Sequence, residues 1–323
     1  MQKSVKLADD ARKAYLAEEA EAGVNNTQTP STKEAFVALS LGPFGSAVLP
    51  PQDFDGLYPP PFGPKGPTED GVGNTRLFTF SSHSGVVVEE EEKAIEALAQ
   101  FHLWRLHAVA SNPDAWTAVD YVAFETVPHL RELRAIKLAM ARFDTDAHTQ
   151  GWLSRLKGWW VSLVFPSGEE SAQWSREERE HQTCSLGLNP DQADILTVLL
   201  DPKIGAVPTG LGLNCTRIDQ YPAILSSILS ASKSSSEEAV PVPLTLVVYP
   251  NGGRFGDTFD VLTHRWENDG GSRPDGRDVT WEEEVVEVVQ KCRGEWKDTI
   301  VGGCCRVYPP QIKILREKVN EAL

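Results

Sequence analysis

Leu244-Thr245-Leu246-Val247-Val248-Tyr249-Pro250-Asn251 is an almost unbroken apolar run that stops at a proline and an asparagine. A strand with one face in water alternates polar and apolar residues. A run without that alternation fits a parallel strand covered on both faces. Five other runs share this character, each ending in Gly, Pro or Cys: Ala35 to Gly45, Val119 to Pro128, Trp159 to Pro166, Pro208 to Cys215, and Thr299 to Cys305. Helix-like stretches lie between them. Lys93 to Ala110 is followed by the stop signal Ser111-Asn112-Pro113, and Leu130 to Ala141, Asp191 to Leu200, Tyr221 to Leu229 and Trp281 to Cys292 follow in turn. After Pro309-Pro310, the residues Ile312, Leu315, Val319 and Ala322 mark one face of a last amphipathic helix.

Strands that alternate with helices predict an α/β fold on a parallel sheet, either doubly wound or closed as a (β/α)8 TIM-type barrel. No Gly-x-Gly-x-x-Gly and no phosphate-binding loop follows a strand, which favours the barrel. Only six of the eight strands that closure needs are visible. The first periodic element, with Leu7, Ala11, Ala14 and Tyr15 on one helical face, reads as the helix that leads into a third strand. The expectation is an incomplete barrel forming a single domain over 1–323, truncated at its N-terminus. Polar or Pro/Gly-rich stretches read as loops: Pro59 to Asn74, the acidic run Glu89 to Glu92, Gly168 to Gln182, Ser230 to Glu238 and Glu267 to Asp278. The first of these follows a strand's C-terminal end and could cover a site there.

The 31 basic and 46 acidic residues leave a formal net charge of −15, which argues against nucleic acid or an anionic membrane surface as a partner. No segment approaches the roughly 18 consecutive apolar residues of a membrane span, and the first residues lack a signal-peptide core, so the expected location is cytoplasmic. The five cysteines are Cys184, Cys215, Cys292, Cys304 and Cys305, too few and too odd in number for a disulfide scaffold.

Gly302-Gly303-Cys304-Cys305 closes the last strand. Neighbouring cysteines bridge each other only with strain, whereas both thiolates can face one soft metal, and the glycines permit a close backbone approach. Cys215 also ends a strand, in Gly212-Leu213-Asn214-Cys215, and barrel sites are built from such ends. Three thiolates at one barrel mouth leave a fourth tetrahedral position open. The competing reading is that of buried, inert cysteines. It suits Cys184 and Cys292, which lie in a polar loop and on a helix; placement on strand ends favours the metal for the other three. The histidines show no metal-ligand spacing, and the tryptophans read as core.

Taken together, Gly212-Leu213-Asn214-Cys215, Val248-Tyr249-Pro250-Asn251 and Val301-Gly302-Gly303-Cys304-Cys305-Arg306 resemble the signature of the homocysteine S-methyltransferase family, zinc enzymes of (β/α)8 form. Ser40-Leu41-Gly42-Pro43-Phe44-Gly45 is similar to the family's Ser-x-Gly-Pro-Tyr-Gly, Phe124-Glu125-Thr126-Val127-Pro128 to its Glu-Thr-hydrophobic-Pro, and Ser4-Val5-Lys6-Leu7-Ala8 to the helix before its third strand. The family's opening strand with Asp-Gly-Gly and its Thr/Ser-rich second strand end have no counterpart. Asp53-Phe54-Asp55-Gly56 stands where Glu-Tyr-x-Gly is usual.

The resemblance implies a Zn2+ ion on Cys215, Cys304 and Cys305, with the homocysteine sulfur as fourth ligand. It implies methyl transfer from S-methylmethionine or S-adenosylmethionine to give methionine, without cobalamin or folate. Glu125 is the expected partner of the substrate ammonium, Asn214 and Asn251 the expected rim contacts, and Asp53 a stand-in for the family's acid. The substrates are then small molecules, homocysteine and a sulfonium. A betaine-type donor is one alternative, and a truncated, inactive zinc-binding or interaction module another.

Overall fold

The computed structural model describes residues 1–24, 34–54, 56–65, 85–150, 157–165, 193–233, 242–253, 257–260, 265–268 and 276–322. Cys184, His83, His181, His264 and the expected loop Gly168 to Gln182 lie outside the described residues, as do 66–74, 234–238 and 269–275 of the other expected loops. In chain order the elements are α1 (Gln2–Val24), β1 (Ala38–Leu41), α2 (Gly85–Ala110), α3 (Pro113–Ala118), β2 (Tyr121–Val127), α4 (Leu130–Gln150), β3 (Gly158–Leu163) and α5 (Ala193–Leu200). They continue with β4 (Gly210–Arg217), α6 (Tyr221–Lys233), β5 (Val242–Asn251), β6 (Asp257–Asp260), β7 (Arg265–Asn268), α7 (Trp281–Lys291), β8 (Trp296–Val301) and α8 (Pro309–Ala322).

All six anticipated strands form one parallel sheet in the order β1-β2-β3-β4-β5-β8, the arrangement of consecutive barrel strands that do not close. Side chains alternate between the two faces of the sheet, and in the central strands both faces are covered. Val122, Phe124, Val161, Leu163, Leu211, Leu213, Leu246 and Val248 point to the face covered by helices and are fully buried. They belong to the main core, together with Leu133, Ile136, Met140 and Phe143 at helical spacing on α4. The opposite face carries a separate small cluster of Ala123, Trp160 and Val247, with Tyr121 and Tyr249 against it. At the sheet's two edges this face opens to solvent: Ser40 pairs with Ala123 yet is exposed, and Ile300, opposite Val247, is 42% exposed. An unclosed barrel uncovers its interior in this way.

Several expectations are corrected. The acidic run Glu89 to Glu92 is helix, not loop. Near the positive N-terminal end of α2, Glu89 pairs with Lys93 one turn on, and Glu91 holds Arg131 in a two-pronged bond at 3.0 and 2.9 Å. On α1 the expected face is the wrong one, since Leu7 is 69% exposed. The covered stripe starts at Val5 and Asp9, because Arg12 bridges Asp9 and Asp120 at 2.5 and 2.7 Å and so rotates the helix onto the β1–β2 corner. On α8, Leu315 is buried but Ile312 is exposed. Trp104 is exposed on α2 rather than core, and Trp296 lies on β8. The last strand ends at Val301, so the two glycines and two cysteines form a turn beyond it. The antiparallel β6–β7 hairpin lies partly in the stretch expected to be loop.

Candidate metal centre

β4 and β8 flank β5, so their C-terminal ends lie two strand positions apart at the same end of the sheet. Along β4 the ladder is irregular between Asn214 and Arg217, and Cys215 takes a left-handed φ of 50°. The irregularity breaks the up-down alternation, so that adjacent Asn214 and Cys215 both face the site. Thr126 at the end of β2 (φ 61°) and Arg306 after the cysteine pair (φ 61°) are the other non-glycine residues in this conformation among those described. All three surround one spot, the pattern expected where backbone strain serves a function.

At that spot the sulfurs of Cys215 and Cys304 are 3.1 Å apart, and the sulfur of Cys305 is 4.0 Å from each. No other His, Cys, Asp or Glu trio among the described residues is arranged to hold a metal ion. Zinc–sulfur bonds of about 2.3 Å at tetrahedral angles place sulfurs about 3.8 Å apart, a value the observed separations bracket. A soft, all-thiolate donor set also suits zinc over calcium or magnesium. Cys292, by contrast, is buried at the end of α7, where burial pushes its thiol up to about 11.

Without a cation the sulfurs share their charge unequally. The thiols of Cys215 and Cys305 hydrogen-bond Cys304 and hold its pKa down, while the same contact with Cys304 drives Cys215 far up. One negative charge is therefore tolerated and further ionisation is opposed, a disposition that a divalent cation reverses. Asn214, 2% exposed, aims its Nδ2 at Cys215 Sγ (3.3 Å) and Cys304 Sγ (3.9 Å), and also donates to Thr126 Oγ1 (2.8 Å). Its Oδ1 accepts from Thr126 N at 2.9 Å, and Thr126 Oγ1 donates to Cys215 Sγ at 3.6 Å. Asn214 thus faces the sulfurs as a donor, and Thr126 joins it.

Glu125 lies on the same face of β2 as Ala123. Its carboxylate accepts from Ser40 Oγ and from the Tyr249 phenol, whose hydroxyl also reaches Ser162 Oγ. Burial pushes the pKa of Glu125 up against these hydrogen bonds, and the charge on Cys304 adds to the rise. A cationic group placed beside it relieves that cost.

Asn251 is less engaged. Its carbonyl accepts from Trp281 Nε1 at 2.9 Å, and its buried Oδ1 has no hydrogen-bond partner among the described residues. Asp53 sits in the turn that folds back on Gly45, where a Cβ would lie 2.6 Å from Asp53 N; its carboxylate makes no hydrogen bond among the described residues.

A second polar centre holds the loop that carries Asp53. Glu132, fully buried on α4, accepts from Phe44 N (2.6 Å), Tyr58 Oη (2.6 Å) and His102 Nε2 (3.0 Å). Arg105 donates to His102 Nδ1 at 2.7 Å and to Gly42 O at 2.7 Å. An Nδ1 that accepts is unprotonated, so His102 is neutral and gives Glu132 its Nε2 proton, consistent with burial lowering its pKa. Histidine therefore contributes more than its sequence spacing suggests, as a buried strut and not as a ligand.

The sequence model of the homocysteine S-methyltransferase family matches residues 1–319. A betaine-homocysteine S-methyltransferase of Drosophila melanogaster is 26% identical, over 99% of this chain and 70% of its own. A homocysteine S-methyltransferase of Escherichia coli is 22% identical, over 98% and 70%. Among solved structures, the metallated form of the Escherichia coli homocysteine methyltransferase MmuM superposes with a TM-score of 0.50 at 21% identity, covering 98% of this chain and 69% of that one, a likeness of fold.

Proposed function

The chain belongs to the homocysteine S-methyltransferase family, enzymes that transfer a methyl group to homocysteine; from that premise we propose that its donor is a sulfonium, S-methylmethionine or S-adenosylmethionine, and that the reaction depends on zinc at Cys215, Cys304 and Cys305. The observation that carries the reading is the mutual approach of three sulfurs from two separate strand ends. A zinc ion held there supplies a Lewis acid able to keep a thiol deprotonated at neutral pH, where free homocysteine is mostly protonated and weakly nucleophilic.

The chain's own residues do the rest. Asn214 and Thr126 donate to the cysteine sulfurs and fix their directions. Glu125, set by Ser40 and Tyr249, receives the ammonium of the amino-acid substrate, and that positive charge offsets the burial that pushes its pKa up. The homocysteine sulfur then forms a bond to the donor methyl carbon as the carbon–sulfonium bond breaks. The donor leaves as a neutral thioether, so no general acid is required, and the thiol proton goes to solvent. Asn251 is assigned to the rim of the substrate cavity, and Asp53 to the place of the family's acid. One homocysteine-binding barrel domain over 1–323 is part of the same reading, supported by the single parallel sheet and its continuous main core.

The inactive-module alternative is not favoured, since the three sulfurs meet and the half-buried Glu125 carboxylate lies within electrostatic reach of Cys304. A betaine donor remains the second reading because of the Drosophila relative's name. Zinc-loaded protein given homocysteine and each of the three donors separates them. Methionine from a sulfonium supports the proposal; methionine from betaine alone, or from none, refutes it.

A further inference from the structure

The peptide Cys304-Cys305 poses a geometric problem. Neighbouring residues on a regular strand point to opposite sides, yet these two sulfurs approach the same third one. The turn that achieves this is pinned from one direction. Cys304 N donates to Pro250 O at 2.8 Å, and Gly252 N donates to Cys305 O at 2.7 Å, so the segment after β5 is strapped to the turn. Gly252 has no room for a side chain, because a Cβ would sit 2.7 Å from Arg306 O. Arg306 follows in a left-handed conformation that an L side chain adopts at a cost of about 1–2 kcal/mol, so something outside the turn must hold it.

The β6–β7 hairpin provides that hold. Arg306 Nη1 donates to Asp257 Oδ2 at 2.6 Å, and its guanidinium lies 5.1 Å from the Trp266 ring centre. Asp257 is 6% exposed and also accepts from Asn268 Nδ2 across the hairpin. Gly253, at φ 118°, makes room for the pair, since a Cβ there would lie 2.6 Å from the Asp257 carboxylate. A nearly buried carboxylate facing a charged guanidinium is expensive to leave unpaired, so hairpin and turn are tied energetically as well as in space.

We propose that Asp257 is a positioning residue for the metal centre: through Arg306 it locks the left-handed turn that aims Cys304 and Cys305 together at Cys215. The β6–β7 hairpin is then a clamp on the ligand turn, and its integrity sets metal affinity. This rests on the three cysteines holding the ion. Partners that orient metal ligands without touching the metal change affinity by about 10–100-fold when removed.

The test uses the full chain loaded with Zn2+ and titrated with a chromophoric chelator, and in parallel loaded with Co2+ for its visible spectrum. Asp257→Asn is expected to weaken metal binding about 10-fold or more and to alter the Co2+ bands, with far-UV circular dichroism unchanged. Arg306→Met, at a half-exposed position, gives the same loss should the Asp257 variant fold poorly, and Arg306→Lys restores part of it. Cys292→Ala, in the core away from the turn, leaves affinity and spectrum at the parent's values. Parent-like affinity and superimposable Co2+ spectra in both Asp257→Asn and Arg306→Met overturn the clamp while the three-cysteine site stands. A parent chain that retains neither ion overturns the site itself and the clamp with it.

Discussion

Replacing Glu132 by alanine tests the buried network that secures the loop between β1 and α2. The carboxylate is fully buried and accepts from Phe44 N, Tyr58 Oη and His102 Nε2 at 2.6, 2.6 and 3.0 Å. Alanine strands three buried donors at about 1–3 kcal/mol each, and relaxation toward water brings the expected loss to about 3–5 kcal/mol. That is a large part of the roughly 5–15 kcal/mol that keeps a domain folded. Urea unfolding followed by tryptophan fluorescence measures it as a lowered midpoint. Glu132→Gln, which keeps the shape, isolates the charge. Although burial alone would raise the pKa of Glu132, the imidazoles of His102 and His129, with the Tyr58 hydroxyl after them, hold it down to about 2, from an ordinary 4.5. A depressed folded-state value contributes stability above pH 4.5 that is lost as pH falls from there toward 2, at most about 3 kcal/mol at about 1.4 kcal/mol per unit. His102 acts in the same direction: its pKa is lowered by burial, so the unfolded chain binds a proton first as pH drops through about 6.5. The glutamine variant therefore has a flatter acid limb than the parent. An alanine variant within 1 kcal/mol of the parent, or an unchanged acid limb in the glutamine variant, refutes this account of the network.

Two further outcomes follow from single side chains. Lys137, buried within α4, donates to the carbonyls of Val198, Leu199 and Asp201 at 2.6, 2.7 and 2.8 Å, satisfying the C-terminal end of α5. Lys137→Met fills the space but strands those carbonyls, and is expected to cost about 2–4 kcal/mol by thermal unfolding; an unchanged Tm contradicts it. Glu125→Gln is expected to weaken homocysteine binding about 10–100-fold, the worth of one charge-assisted hydrogen bond, with zinc content unchanged. Calorimetry on zinc-loaded protein measures the affinity, and parental affinity removes Glu125 from the substrate site.

The readable parts of the sequence were those in which chemistry or periodicity is local. Six apolar runs specified six parallel strands; the central ones are apolar almost throughout because both faces are covered, as in Leu244 to Asn251, while the edge strands β1 and β8 keep one open face. Cys215, Cys304 and Cys305 stood out because residue type and strand-end position coincide, and their sulfurs do meet. What stayed hidden depends on partners far along the chain. Glu132 and His102 read as ordinary helix residues, and Glu132 gains its meaning from Phe44, 88 positions away. The covered face of α1 is set by the ion pair from Arg12 to Asp120, 108 residues on, which outweighs the apolar stripe of Leu7, Ala11 and Ala14. Thr126 was legible only as part of a motif, because its contact with Asn214 needs two strand ends brought side by side. The short β6–β7 hairpin lacks an apolar run and gave no periodic signal. Its importance comes from Asp257, which meets Arg306 from 49 residues away.

The most direct measurement is the metal content of purified parent and Cys304→Ala proteins by elemental analysis, with circular dichroism as the check on folding. The account predicts about one zinc per parent chain and none retained by a natively folded Cys304→Ala variant. A parent that holds no zinc, or a Cys304→Ala variant that keeps it as tightly as the parent, contradicts the account.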